Sequence, residues 1–452
     1  MKMMRSLKSL GGQLINRSVL TVVGLFAICG SMTELPLQAA SGRPARILAE
    51  HTLPPLSLSQ FGFSDADLAQ AQANGLVSVN LPAIGSGLQR LAGNHFLAVT
   101  DRGPTFTRTT PTPGRVFPLP NYTPSLLFFN AGGGEIRLQN IVPIVVDDAG
   151  TPATGVSNSA TDDSVPFSSP TATLQYAFNP NGMDVEDVHT LSDGNYILVE
   201  EYSPSIVIVS DAGKVLKRYT PQGKTLVGAS YAVSDRLPAI LSQRRSNRGF
   251  ECIAVSDDGR TGYTMTQSPL GSTGATAPTR TSRIVRVLRL DLSDPLNLQV
   301  NGQFLVRLSD ASTYPAGNRP QDLKISAAAW VSDDKLLLLE RSDEVGIGGA
   351  KLILINLAGA TDVSAMPQAA TLSLEDVNTD LAALGITVAT STLVYSNEET
   401  PELTDFKLEG LAILNQNTVA ITNDNDFGIG VPAGASSKMW VILLNQPLNK
   451  FD

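Results

Sequence analysis

Short runs of apolar, β-prone residues alternate with polar clusters along this chain, and one such unit returns five times. The copies read SGLQRLAGNHFLAVTDRG (86–103), EDVHTLSDGNYILVEEYS (186–203), ECIAVSDDGRTGYTMTQS (251–268), SAAAWVSDDKLLLLERSD (326–343) and EGLAILNQNTVAITNDND (409–426). Each opens on a polar or acidic residue, runs through a turn signal and closes on another polar cluster. Glu186 and Glu200 are equidistant from Asp193, inside Ser192-Asp193-Gly194-Asn195. Residues equidistant from the turn of an antiparallel hairpin face each other. The spacing therefore predicts that Ser86, Glu186, Glu251, Ser326 and Glu409 face Thr100, Glu200, Met265, Glu340 and Asn423 at the open ends of five hairpins.

Further strands are predicted after the hairpins, at 206–210 and 215–219, 284–291 and 302–308, 351–357, and 439–444. Four strands per unit make the blade of a β-propeller, in which each repeat buries its faces against its neighbours. The reading is an all-β chain forming a single propeller of six four-stranded blades, with seven as the alternative. The wide gap after the first copy, and the segment before residue 86, leave room for an additional blade. One blade is expected to close by pairing the two chain ends. Residues 103–125, 147–183, 269–282 and 309–320 read as long loops, and 64–74, 235–245 and 374–384 as short helices.

Composition narrows the function classes. Charged residues make up 17% of the chain and aromatics 6%, with 38 Gly and 28 Pro, a turn-rich and strand-rich profile. The N-terminus reads as a secretory signal over residues 1–40: Lys2, Arg5, Lys8 and Arg17 precede or flank the apolar 18–28, and Leu37-Gln38-Ala39-Ala40 suits cleavage. The mature propeller domain is then 41–452, in the periplasm or outside the cell, with no membrane span once the signal is removed. Cleavage takes away four positive charges and Glu34, moving the formal charge from −9 to −12. Such an acidic chain is a poor partner for nucleic acid. Cys252 is then the one cysteine left, so no intrachain disulfide forms, and it reads as a buried apolar residue.

If first strands line the central channel, the polar ends converge at one mouth. The opening residues are Ser86, Glu186, Glu251, Ser326 and Glu409; the closing clusters are Asp101-Arg102, Glu200-Glu201, Thr266-Gln267, Glu340-Arg341 and Asn423-Asp424-Asn425-Asp426. Carboxylates brought together need cations. Oxygen ligands without a histidine cluster favour Ca²⁺, or another hard cation such as Mg²⁺. Arg102, Arg341 and Lys407 sit within the clusters, with Arg248 and Arg283 nearby in sequence, and can hold an anion. His189 reads as a core histidine, and the nucleophile-elbow pattern GxSxG is absent.

DRGP (101–104), the run 184–221, NRGFECIAVSDDGRTGYTMTQSPL (247–270), LLLLERSD (336–343) and KLEGLAI with NDNDFG (407–428) resemble the phytase-like family, exported proteins described as having esterase-like activity of phytase. The resemblance runs over residues 80–430 and implies a propeller-like phosphate-ester hydrolase. It adds Asp184 and Asn247 to the site. The candidates then divide into catalytic Glu186, Glu251, Glu409, Arg102, Arg341 and Lys407, and metal-binding Asp101, Asp184, Glu200, Glu201, Asn247, Glu340, Asn423, Asp424 and Asp426. The chain departs from the family at Glu186-Asp187 and Glu251-Cys252, where Glu-Gly is common.

The leading expectation is an exported monomer that hydrolyses small anionic phosphate esters with a divalent cation. Two others compete with it: a calcium-stabilised, non-catalytic propeller that binds a partner or envelope ligand, and a carboxyl-ester or lactone hydrolase.

Overall fold

The computed structural model describes residues 44–173, 175–342, 349–403 and 407–450. The expected signal segment and its cleavage site lie outside them.

The described strands form five blades around a closed ring. The innermost strands, Ser86–Ala92, Val185–Thr190, Phe250–Val255, Leu323–Ser332 and Leu408–Asn415, pack each against the next, and the last returns to the first. Blades one to four take their other strands in sequence order. In the fifth, Thr418–Asn423 and Lys438–Leu443 are followed by Arg46–Thr52, so the two chain ends close the ring. A single parallel pair, Thr52 with Glu135, links this closing blade to the first.

The propeller and its end-to-end closure are as expected; the count of six blades is corrected to five. The segment before residue 86 contributes the strand that completes blade five rather than a blade of its own. The wide gap after the first copy holds the rest of blade one and a small three-stranded sheet of Phe106–Arg108, Gly114–Val116 and Pro166–Phe167. The capped helix Asp65–Ala73 forms, with Ser64 and Asp67 in a capping box. The other two expected helices do not: 235–245 holds the end of strand Ala232–Leu237 and a 3₁₀ turn, and 374–384 is mostly turns after Leu372–Leu374. No helix among the described residues is long and apolar enough to cross a membrane.

The unbroken apolar runs of the second strands follow from burial on both faces. Leu336 and Leu338 enter the core between blades three and four, while Leu337 and Leu339 enter the core between blades four and five. A side-chain period of two sends alternate leucines to opposite faces, and both faces are covered. Each of the five gaps between blades has such a core. Cys252 is buried in one of them, as expected.

Candidate functional site

The expected register holds through the middle of four of the five hairpins and slips at the polar end. In blade two Val199 pairs with Asp187, but Glu200 pairs with Val185, so Glu186 is bulged out of the ladder. The same slip strands Glu251 between Phe250 and Cys252, Ser326 between Ile325 and Ala327, and Glu409 between Leu408 and Gly410. The opening residues thus do not face the closing residues that the spacing assigned to them. A bulge re-aims one side chain and twists the strand locally. Repeated in four blades, it turns the opening residues away from regular pairing at one end of the channel.

Three of them line a cavity of about 520 Å³ there. Glu186, Glu251 and Glu409 meet Asp101, Glu201, Asp424 and Asp426, so seven carboxyl groups share it. Five cationic side chains, Arg102, Arg115, Arg248, Lys324 and Lys407, line it as well. Four residues of its wall, Asn247, Lys407, Asp426 and Phe427, hold φ between 47° and 54°. Left-handed backbone at non-glycine positions is strained and persists where surrounding contacts enforce it.

Two groups of charges stand out. Asp184, Glu186 and Glu201 place carboxylate oxygens within 4.8 Å of one another. The Arg102 guanidinium forms an ion pair with Asp184 and its Nη2 lies 3.8 Å from Glu201, while Asn247 Oδ1 accepts from Arg102 Nη2 at 2.8 Å and from Arg115 Nη2 at 2.7 Å. On the other side, Lys407 Nζ contacts Asp424 Oδ2 at 2.7 Å and also bonds Asp426, with Glu409 at 3.9 Å.

Electrostatics separate these carboxyls. Burial, then the charges of Asp184, Glu251, Glu201 and Glu409, pushes Glu186 well above the ordinary carboxyl range. Burial, then Glu201 and Glu409, does the same to Glu251. Glu201 is pushed up to about 7 by burial and by Asp184, and Asp426 to about 7 by burial and by Asp424 against the pull of Lys407. Burial is the largest influence on Asp424 and opposes its ionisation, but the charge and hydrogen bond of Lys407, together with hydrogen bonds from Asp426, hold that group below its usual value. Burial works against the Lys407 ammonium, yet Asp424, Asp426 and Glu409 keep it charged.

The cluster of Asp184, Glu186 and Glu201 can hold a metal ion, and its chemistry fits an oxygen-seeking one. Glu201 Oε1 is buried without a hydrogen-bond partner, and Glu186 has no hydrogen bond or ion pair among the described residues. A cation there would relieve the repulsion that raises both groups.

Five expected site residues stand outside the cavity lining. Glu200 accepts from Ser205 Oγ at 2.7 Å and pairs with Arg218 at 2.8 Å, deep in blade two. Glu340 accepts from Tyr314 Oη and the Ser309 amide, both at 2.8 Å. Asn423 accepts from the Lys438 amide at 2.6 Å. These three sit on regular ladder positions, where alternation sends them into the protein. Asp184 and Arg341 lie behind the lining: Arg341 donates to Ser326 Oγ at 2.7 Å and also bonds Glu409. Arg283 is remote, in a cleft between blades three and four.

Arg115, Lys324 and Asp163 were not among the expected residues. Lys324 carried a usable signal, since it stands two residues before Ser326 as Lys407 does before Glu409 and Asp184 before Glu186. Arg115 and Asp163 carried none. They lie in insertions outside the repeat, Arg115 on the short strand Gly114–Val116, and their contact, Arg115 Nε to Asp163 Oδ2 at 3.7 Å, is a product of folding.

Fold and site together define a five-bladed β-propeller with a carboxylate-rich, cation-lined cavity at one end of its channel. The chain belongs to the phytase-like family, described as esterase-like activity of phytase, whose sequence pattern matches residues 83–427. That membership points to a hydrolase or esterase-like propeller. No functionally curated protein matches the chain. Among solved structures it is similar to the PQQ-bound aldose sugar dehydrogenase of Streptomyces coelicolor, at 10% identity, covering 80% of this chain and 97% of that one with a TM-score of 0.32. It is also similar to the endo-arabinase of Bacteroides thetaiotaomicron, at 11% identity, 80% and 93% coverage and a TM-score of 0.33. The blade assignment rests on strand pairing, and the family on the matched sequence.

Proposed function

We propose that this protein is an exported, monomeric hydrolase of small phosphate esters that works with a divalent cation, Ca²⁺ first among the candidates. One observation carries the reading: bulged Glu186, Glu251 and Glu409, from three blades, line one cavity together with Arg115, Arg248, Lys324 and Lys407. Carboxylates suit a hard cation, and the interspersed cations suit the anionic ester. Asp184, Glu186 and Glu201 would hold the ion; when bound, it supplies Lewis-acid polarisation and acidifies water.

The chain's own groups divide the remaining work. Arg115, Arg248 and Lys324 face the ester's negative charge. Asn247 fixes the forks of Arg102 and Arg115 through one oxygen. Arg102 itself is committed to Asp184 and orients the carboxylate cluster rather than the substrate. Glu251, held well above the ordinary carboxyl range by burial and by Glu201 and Glu409, is the group placed to give a proton to the departing alcohol. Gln267 donates to its Oε1, while Oε2 is buried without a partner and serves as the proton-delivering oxygen.

The test is release of phosphate from a panel of phosphomonoesters and phosphodiesters, with and without chelator, with carboxyl esters and a lactone in parallel. Expected are cation-dependent turnover of phosphate esters and its loss in Glu251→Gln. Absence of any cation-dependent phosphate release across the panel overturns the proposal, and faster turnover of carboxyl esters transfers it to that chemistry.

A further inference from the structure

The cleft between the outer strands of blades three and four holds a second large cavity, of about 510 Å³. Arg283, Arg307 and Lys351 line it together with Ile353, Val388 and Leu393. None of these residues lines the carboxylate-rich cavity, so a ligand here is independent of the hydrolase reading.

The cleft is cationic in a chain whose formal charge is −9. Its acidic residue, Asp310, is taken by Arg283, Nη1 to Oδ2 at 2.9 Å. Lys351 is also engaged: Nζ donates to the Thr313 carbonyl at 2.6 Å and lies 4.1 Å from the Tyr314 ring centre. The Arg307 guanidinium has no ion pair or hydrogen bond among the described residues, and its neighbour is another guanidinium. Burial, then Arg283, pulls its pKa down. With Asp310 paired to Arg283, the Arg307 guanidinium is left without a counter-charge of its own. Beside them the floor is aliphatic, and Leu393 is left 52% exposed.

We propose that this cleft binds a small anionic amphiphile, a molecule with one carboxylate or phosphate head on a short aliphatic chain. The head pairs with Arg307 and Arg283, which present the planar donors such oxyanions match. The chain covers Ile353, Val388 and Leu393. A volume of about 510 Å³ lies within the range of small-molecule sites.

Titration calorimetry on the mature chain tests this with octanoate and octylphosphonate, whose C–P bond leaves no ester for the other cavity to cleave, using octanol and inorganic phosphate as controls. Both anionic amphiphiles are expected to bind, and the tighter of the two identifies the preferred head. Octanol or phosphate alone should bind at least about tenfold more weakly, since each lacks one half of the recognition. Arg307→Gln and Leu393→Asp should each weaken binding by about tenfold or more. Both are surface changes expected to keep the thermal transition. Equal binding by octanol, unchanged affinity in Arg307→Gln, or no binding of either amphiphile overturns the proposal.

Discussion

Lys407 reaches across the open end of the fifth hairpin to Asp424, Nζ to Oδ2 at 2.7 Å, from a residue held at φ 52°. The same ammonium serves Asp426, so two carboxylates of one loop depend on one cation. Removing one partner of a buried pair leaves an uncompensated charge, which costs about 3–5 kcal/mol. Lys407→Met is therefore expected to lower unfolding stability by that order in urea titrations at neutral pH without divalent cations. An unchanged midpoint would show that the pair does not hold this loop.

Stability should also depend on pH in an unusual direction. Glu201 and Asp426 both titrate near 7 in the folded chain, above the ordinary carboxyl range. A raised carboxyl binds protons in the folded state that the unfolded chain has released. Its stabilising share is complete below the unfolded pKa and is lost as pH rises through about 7. Asp424 is shifted the other way, and its share is lost in more acidic solution. In chelator, the melting temperature at about pH 5 is expected to exceed that at about pH 8. Added Ca²⁺ should restore the alkaline value, because the cation replaces the protons.

The acidic cluster gives opposite signs for stability and binding. Glu186→Gln removes a repelled carboxyl, so the cation-free protein should melt higher than wild type, while calorimetric Ca²⁺ affinity falls by about tenfold or more. Glu340→Gln is the control. Its carboxylate accepts from Tyr314 and Ser309, so the change should cost about 1–3 kcal/mol and leave cation affinity alone. If both variants reduce affinity equally, the cation site is not where Glu186 lies.

Backbone contact positions the same cluster. A Cβ on Gly249 would lie 2.1 Å from the Glu201 carbonyl oxygen. Gly249→Ala must therefore push Glu201 aside. It is expected to destabilise the fold by about 1–3 kcal/mol and to lower phosphate-ester turnover more than Gly132→Ala, whose Cβ would meet only side-chain atoms at 3.6 Å or more. Equal kinetics in the two variants would argue that this contact does not set the site.

Much of the site was legible because the repeat carries it. Ten of the fifteen expected residues line the cavity, since a turn-centred spacing forces equivalent hairpin ends to one side of a propeller. Glu200, Glu340 and Asn423 were misplaced for one reason: a bulge at the opening residue shifts the ladder by one. They therefore bond within the protein while Glu186 and Glu409 turn to the cavity. No single-sequence pattern marks such a bulge, because the residue count between turn and opening residue is unchanged.

By itself the sequence determined the hairpins, the two-faced burial of runs such as Leu336–Leu339, and the wealth of carboxylates at the hairpin ends. Local periodicity and turn chemistry suffice for these. Tertiary structure alone decided that there are five blades, because Arg46–Thr52 could be assigned only by what it pairs with, Lys438–Leu443. It alone also brought Arg115 and Asp163 together from outside the repeat and left Arg283 in another cleft. Such contacts join residues far apart in the chain, and only pairings such as that of Gly114–Val116 with Pro166–Phe167 set their distance.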